Sequence, residues 1–424
     1  MTELTPQQNQ ALDAIVAWYQ ADDYGTTRPF RLFGAAGCGK TTLARQVPDA
    51  LGLDFGLDAA VQYGAYTGKA ASVLRAKGCT PAGTLHSLAY RPIGTWETKA
   101  KLEEARAELA EHVAQFGADP GYAQEQAELE DEVAALEKES KTIGFEWNES
   151  SALADASLLI LDEVSMVDAK LAADIERFQV PVLVLGDPEQ LEPVGGEGYY
   201  INATPDFALT EIHRQALESP VLELATRVRT SDGIRLGLTE ADTEPRSLAR
   251  AMDHDQIICW KNATRWNLIE KIRAKHGRPA GAPVAGDRVM CLTNNRKLAI
   301  FNGQQFLVLA AEDGKLMLRD DEGRERIIES HPDGFQGRKQ QDDAKAVNMG
   351  MRDEVGLFTF AQVITCHKAQ GSEWGSVYVV DETPDLIAMT ANRQGLAAGI
   401  TAGRRWLYTA VSRASDVVSI GRAW

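Results

Sequence analysis

The segment Gly34-Ala35-Ala36-Gly37-Cys38-Gly39-Lys40-Thr41-Thr42 follows the apolar run Phe30-Arg31-Leu32-Phe33 and fits G-x-x-x-x-G-K-[ST], a loop that wraps nucleotide phosphates. Backbone N–H groups along Gly37, Gly39, Lys40, Thr41 and Thr42 sit at a helix N-terminus and suit phosphate oxygens. Lys40 would neutralise the β and γ oxygens, and the Thr41 hydroxyl would ligate Mg²⁺. Leu158-Leu159-Ile160-Leu161-Asp162-Glu163 carries an acid pair to the C-terminal end of an apolar strand, where open α/β sheets bind ligands. Asp162 suits the metal, and Glu163 suits orienting and deprotonating an attacking water. An acid directly after the metal-binding Asp favours hydrolysis over transfer to a metabolite. Val182-Leu183-Val184-Leu185-Gly186-Asp187-Pro188-Glu189-Gln190 is a further strand ending in a polar turn, with Gln190 within reach of the γ-phosphate or the water.

These groups need a scaffold. Apolar runs at 30–33, 61–66, 158–161 and 182–185 end in polar or glycine-bearing turns and alternate with helical stretches, as buried parallel strands of a doubly wound α/β sheet do. Thr5-Pro6-Gln7-Gln8 opens an amphipathic helix bearing Ala11, Leu12, Ile15, Val16 and Tyr19 on one stripe. Between Glu97 and Ser140 the apolar spacing changes to three and four residues, broken at Gly117-Ala118-Asp119-Pro120-Gly121, which predicts an inserted helical hairpin. A second α/β pattern begins near Leu209 and includes Gln256–Trp260. Short alternating runs interrupt it from about Val284 to Ala346, predicting a small all-β insert. The pattern resumes with strand-like runs at Phe358–Thr365, Ser376–Val380 and Trp406–Val411.

The 424 residues are enough for two to four domains. No apolar run approaches the roughly 20 residues that span a bilayer, and no leader is evident, so a cytoplasmic site in a bacterial or phage-infected cell is the expectation. Five scattered cysteines suggest neither disulfides nor zinc. The net charge of −17 argues against a nucleic-acid partner at first, but residues 97–140 hold thirteen acidic and only four basic side chains. The remainder is mildly acidic, which leaves room for a local basic groove.

With these motifs in order along nearly the whole chain, the sequence resembles the superfamily 1 helicases, specifically the 5′-to-3′ branch, superfamily 1B, that contains the phage Dda helicase and RecD. Leu4-Thr5-x-x-Gln8 matches the adenine-reading Q motif and GAAGCGKTT matches motif I. Thr67-Gly68-Lys69-Ala70-Ala71 resembles motif Ia, Thr84-Leu85-His86-Ser87 motif Ib, DEVSMVD motif II and GDPEQLEPV motif III. Leu209-Thr210-Glu211-Ile212-His213-Arg214 resembles the element whose Arg reaches the γ-phosphate across the cleft. Thr365–Glu373 is similar to motif V and Tyr408–Ala414 to motif VI.

The resemblance implies two RecA-like parallel-sheet domains in tandem. Motor domain 1A would take residues 1–88 and 151–205, and domain 1B, a pin with the acidic helical hairpin, residues 89–150. Motor domain 2A would take 206–283 and 347–424, and a small SH3-like β-barrel, 2B, residues 284–346. ATP and Mg²⁺ are the implied cofactors. Gln8, Gly371 and Glu373 join the phosphate loop at the nucleotide, Thr41 and Asp162 hold the metal, and Lys40, Glu163, Gln190, Arg214 and Arg413 carry the catalysis. Arg214 and Arg413 would reach the phosphates only in the closed cleft.

Thr67, Thr84 and His86 in one domain, and Asn262, Thr365, His367 and Lys368 in the other, would donate to the phosphates of a single strand without reading its bases. Trp374 stacks on a base or fills core. Phe145 and Trp147, on the return arm of 1B, are the implied strand-separating wedge. The expected activity is ATP-driven 5′-to-3′ translocation on single-stranded DNA with unwinding of duplex DNA by a monomer. Its partners would be single-stranded DNA and its junctions with duplex, plus a replication or recombination protein at the acidic hairpin. Two alternatives are a translocase or RecD-like subunit that needs a partner to unwind, and a binding module gated by nucleotide.

Overall fold

The computed structural model describes residues 4–21, 28–53, 60–93, 97–117, 120–141, 144–192, 198–211, 219–295, 297–346 and 355–422. Helix Pro6–Gln20 starts at Thr5, whose side chain accepts from Gln8 N–H while the Gln8 side chain accepts from Thr5 N–H, a reciprocal cap. The strands that follow are β1 (Phe30–Gly34), β2 (Val61–Ala65) and β3 (Ala82–Thr84). The 1B excursion leaves on β4 (Tyr90–Ile93) and returns on β5 (Gly144–Trp147), which pair antiparallel with Pro92 opposite Phe145. Between them helices Glu97–Phe116 and Ala123–Lys141 pack together as the predicted hairpin, with Phe116 and Tyr122 stacked 4.2 Å apart near its turn.

After the excursion come β6 (Leu158–Asp162), β7 (Val182–Gly186) and β8 (Phe207–Leu209). The first sheet has the order β3-β2-β6-β7-β1-β8, all parallel. Its central strands are buried on both faces, which is why they read as unbroken apolar runs. Leu209, taken from sequence as the start of the second domain, instead closes the first sheet: β8 pairs with β1 beside the phosphate loop.

The second parallel sheet combines β9 (Thr243–Pro245), β10 (Gln256–Cys259), β17 (Val363–Thr365), β18 (Trp374–Asp381) and β19 (Ala414–Arg422) in the order β17-β10-β18-β19-β9. The two sheets are RecA-like domains in tandem. A third sheet lies between them in sequence, formed by β11 (Arg288–Cys291), β12 (Gln305–Glu312), β13 (Lys315–Arg319), β14 (Glu325–Ser330), β15 (Val355–Gly356) and β16 (Phe358–Phe360). It curls into a nearly closed barrel in the order β15-β14-β13-β12-β11-β16.

Two strand assignments differ from the sequence reading. The run Phe358–Thr365 is divided: β16 closes the barrel against β11, and β17 joins the second parallel sheet. The small domain therefore extends beyond residue 346. Buried Arg265 staples this division, donating to Phe360 O at 2.6 Å, Thr359 Oγ1 at 2.8 Å and Val363 O at 3.1 Å. The run Trp406–Val411 is not a strand but the last part of helix Leu396–Val411, because a continuous apolar run suits a fully buried helix as well as a strand. The five cysteines are buried free thiols. Among the described residues no helix is long and apolar enough to cross a membrane.

Candidate functional site

β1 delivers the phosphate loop. Gly37 and Gly39 both take φ of 80°, a left-handed backbone that glycine adopts without strain. Lys40 folds inside the loop and donates to Gly34 O at 2.6 Å and Ala35 O at 3.0 Å. Burial opposes its charge, but Cys38, Asp187, Asp162 and Glu163 around it outweigh that and raise its pKa. Thr42 follows in the first turn of helix Lys40–Ala44. Gln8 is buried and donates to Cys38 O at 3.3 Å, so it ties helix Pro6–Gln20 to the loop.

Asp162, at the end of β6, accepts from Thr41 Oγ1 at 2.9 Å and from Glu163 N–H at 2.9 Å. A hydroxyl and a carboxylate side by side are the oxygen ligands a hard cation such as Mg²⁺ takes, and the pair fits that ion. Glu163 holds a left-handed backbone, with φ 56° and ψ 46°, which is costly for a residue with a Cβ. Burial raises its pKa, while the nearby charge of Arg413 pulls it down. Gln190 is 5% exposed, and its Oε1 has no hydrogen-bond partner among the described residues.

The second domain faces this cluster with helix Leu396–Val411 and the turn after it. Arg413 is 6% exposed and is oriented by Thr409 O at 3.1 Å, Ser412 Oγ at 3.2 Å and Ser372 O at 3.4 Å. Arg404 pairs with Glu189 at 3.0 Å and Arg405 with Glu192, while Leu191 N–H donates to Thr409 Oγ1 at 3.0 Å. Sequence reasoning placed Tyr408 and Thr409 in motif VI without a role and missed Arg404 and Arg405, because an apolar run with an arginine pair reads as core and surface. Arg214 lies outside the described residues. Gly371 has φ of 73°, and a Cβ there would come 2.8 Å from Ala70 Cβ and 3.1 Å from Thr67 Oγ1, so motif V touches motif Ia directly. Glu373 is exposed.

Thr67 and Thr84 cap helices Gly68–Ala76 and Leu85–Ala89, accepting from Ala70 N–H and Ser87 N–H at 3.1 Å each. Each hydroxyl keeps its proton to donate. His86 is exposed beside the rings of Tyr66 and Tyr90, at 6.0 and 5.8 Å. Asn262 begins helix Asn262–Lys275, and Thr365 begins helix Cys366–Ala369 without a side-chain cap. His367 is half-buried, which lowers its pKa. Lys368 donates to Asn302 Oδ1 at 3.1 Å; burial, then Lys345 and Arg265, bring its pKa down to about 8.

The barrel reaches the same place from the other side. Phe301 packs where a Cβ on Gly68 would sit, Lys69 pairs with Asp321, and Ser72 donates to Glu322 at 3.4 Å. Trp374 is partly buried against the second domain's core, which favours its filling role.

Trp147, expected as part of the wedge, is seated on the first domain. Its Nε1 donates to Asp174 O at 2.9 Å, its ring lies 4.6 Å from Phe178, and Arg177 sits 4.0 Å above it. These contacts anchor β5 on the first domain beside helix Ala169–Glu176. Phe145 lies on β5, and its side chain lies outside the described residues.

Comparison with known proteins agrees with this arrangement. A family described as AAA domain matches residues 3–259, and one described as UvrD-like helicase C-terminal domain matches residues 360–420. The ATP-dependent RecD2 DNA helicase of Deinococcus radiodurans is 26% identical over 311 residues, 64% of this chain but 37% of that protein. The chain therefore spans well under half the length of that relative. Among solved structures, a Pif1 helicase structure concerned with DNA unwinding at forked duplex DNA has a TM-score of 0.55 at 21% identity, covering 99% of this chain and 92% of that one. Pif1 from Bacteroides with ADP-AlF3 and single-stranded DNA has a TM-score of 0.54 at 20% identity, with the same coverage of 99% and 92%. At these identities the two structures establish the fold.

Proposed function

We propose that this chain, which belongs to the AAA-domain family that matches residues 3–259, is a superfamily 1B helicase of the Pif1- and RecD-like kind, an ATP-driven 5′-to-3′ translocase on single-stranded DNA that unwinds duplex DNA. The observation that carries this reading is the charge relation across the cleft. Burial raises the pKa of Glu163 of the first domain, and the charge of Arg413 of the second opposes that rise, so the water-activating acid and the transition-state cation belong to different bodies. Closure assembles them, and hydrolysis removes the phosphate that rewards closure.

Mg²⁺ held by Thr41 and Asp162 would supply charge to the β and γ oxygens. Lys40 would leave the Gly34 and Ala35 carbonyls for the phosphates, while Glu163 takes the proton of the attacking water. Gln190, with its free Oε1, would position that water. The single strand would run past Thr67, Thr84 and His86 and then Asn262, Thr365, His367 and Lys368, held by its phosphates. Gln8 stands beside the phosphate loop, and Gly371 and Glu373 are assigned to the nucleotide, and Arg214 to the second finger role, on resemblance. A monomer working in the cytoplasm, with a replication or recombination protein at the 97–140 hairpin, completes the reading.

The seating of Trp147 on the first domain favours a second reading, a translocase that needs a partner to open duplex DNA. ATP turnover with and without single-stranded oligonucleotide, and strand separation by the isolated chain, test both. DNA-stimulated turnover abolished in Glu163→Gln, with ATP still bound, supports the motor. Stimulated turnover without strand separation selects the partner-dependent form, and turnover indifferent to DNA rejects both.

A further inference from the structure

Tyr408 lies within helix Leu396–Val411 among Trp406, Leu407, Ala410 and Val411, all buried in the second domain's core. Its hydroxyl leaves that core and crosses the cleft. It accepts the N–H of Ala36, inside the phosphate loop, at 2.9 Å and donates to Asp187 Oδ2, just beyond β7, at 2.5 Å. Tyr408 is 2% exposed and Asp187 3%, so water does not substitute for either bond. Burial, then the Asp187 charge, push the phenol well above its ordinary pKa, and it stays a donor.

The adjacent residue extends the grip. Thr409 Oγ1 accepts Leu191 N–H at 3.0 Å, and Leu191 O accepts Gln370 Nε2 at 3.0 Å. Thr409 O also accepts Arg413 Nε at 3.1 Å. One helical turn thus holds the phosphate loop, the segment after β7 and the candidate finger. Asp187 further belongs to the negative surroundings of Lys40.

We propose that Tyr408 is the positioning residue that transmits movement of the second domain to the phosphate loop, through a hydroxyl bridge from Ala36 to Asp187. The proposal rests on the ATPase reading above. A helix that shifts by a fraction of a turn moves Arg413 toward or away from Glu163. Through the bridge it moves Ala36 and Asp187 in the same stroke. Without the hydroxyl, the helix still packs, but the Ala36 N–H and the Asp187 carboxylate lose their link to it.

The test is a double-mutant cycle of Tyr408→Phe and Asp187→Asn in the full chain, read as ATP turnover with and without oligo-dT, affinity for a fluorescent ATP analogue, and melting temperature. Phenylalanine keeps the ring packing, so Tyr408→Phe should stay folded at the assay temperature with a melting temperature lowered only modestly, while kcat falls about tenfold or more, the scale of a hydrogen bond to a charged group. The stimulation ratio should fall with it. The double variant should be no worse than the worse single, since both changes break one bond. Wild-type kcat and stimulation in Tyr408→Phe, losses that multiply in the double variant, or losses that follow melting temperature would each overturn the bridge. Wild-type turnover indifferent to DNA would instead count against the helicase reading, and the cycle on basal turnover and analogue affinity would still decide the bridge.

Discussion

Lys69, in the first turn of helix Gly68–Ala76, forms an ion pair with Asp321 on the turn between β13 and β14 of the barrel. The pair joins the motif Ia helix of the first domain to the small β domain inserted in the second. Phe301 beside Gly68 and Asn302 beside Lys368 make the contact continuous with motif V.

Asp321→Lys should free Lys69 and add a cation at the same rim. Affinity for oligo-dT should rise at low salt, and the log–log salt dependence should steepen by about 0.7 for each phosphate newly neutralised. An unchanged slope would take Lys69 off the path of the strand.

Lys368 loses its proton as pH rises through about 8. Affinity for single-stranded DNA should therefore fall between pH 7 and pH 9. Binding near pH 8 should take up a proton, because a phosphate favours the charged ammonium. In Lys368→Met the affinity should be lower and flat over that range. A wild-type affinity independent of pH would remove Lys368 from the interface.

Glu163 must be ionised to accept the water's proton, and burial raises its pKa. Turnover should consequently fall on the acid side at a pH above the ordinary carboxylate value of about 4.3. Arg413→Ala removes the charge that holds Glu163 down. The acid limb should then move to higher pH, and kcat should drop by about 10³-fold while ATP affinity changes far less. A pH–rate profile in which the limb stays in place would separate Arg413 from Glu163.

Trp147→Ala removes an aromatic wedged against Phe178, Arg177 and the Asp174 carbonyl. The cost should lie near the low end of roughly 3–5 kcal/mol for a truncated buried aromatic, since the indole is partly exposed. Thermal melting should shift down, with ATPase and unwinding lost together. Normal stability with selective loss of unwinding would restore the wedge role. Phe145→Ala, measured beside it, reports on the same arm.

The sequence by itself determined the parts whose chemistry is local. The phosphate loop needs glycines where φ is positive and a Lys-Thr pair at a helix start, and Gly37, Gly39, Lys40 and Thr41 announce this within a few residues. Asp162 and Glu163 could be placed because an apolar strand of one length carries its last residues to the carboxyl edge of a parallel sheet. The helical hairpin was equally legible, since its three- and four-residue apolar period is a property of one helix face. Tertiary structure alone decided what a run packs against. Phe358–Thr365 is one apolar stretch, yet Arg265 and the pairing partners β11 and β10 divide it between two sheets. Trp406–Val411 carries no period to separate a buried helix from a buried strand. Trp147 and Tyr408 are aromatic residues whose neighbours in sequence say nothing of the carbonyl or carboxylate each one meets. Those partners lie 27 and 221 positions away. A side chain's chemistry is written in its own residue, but its hydrogen-bond partner is chosen by how two separately folded surfaces meet.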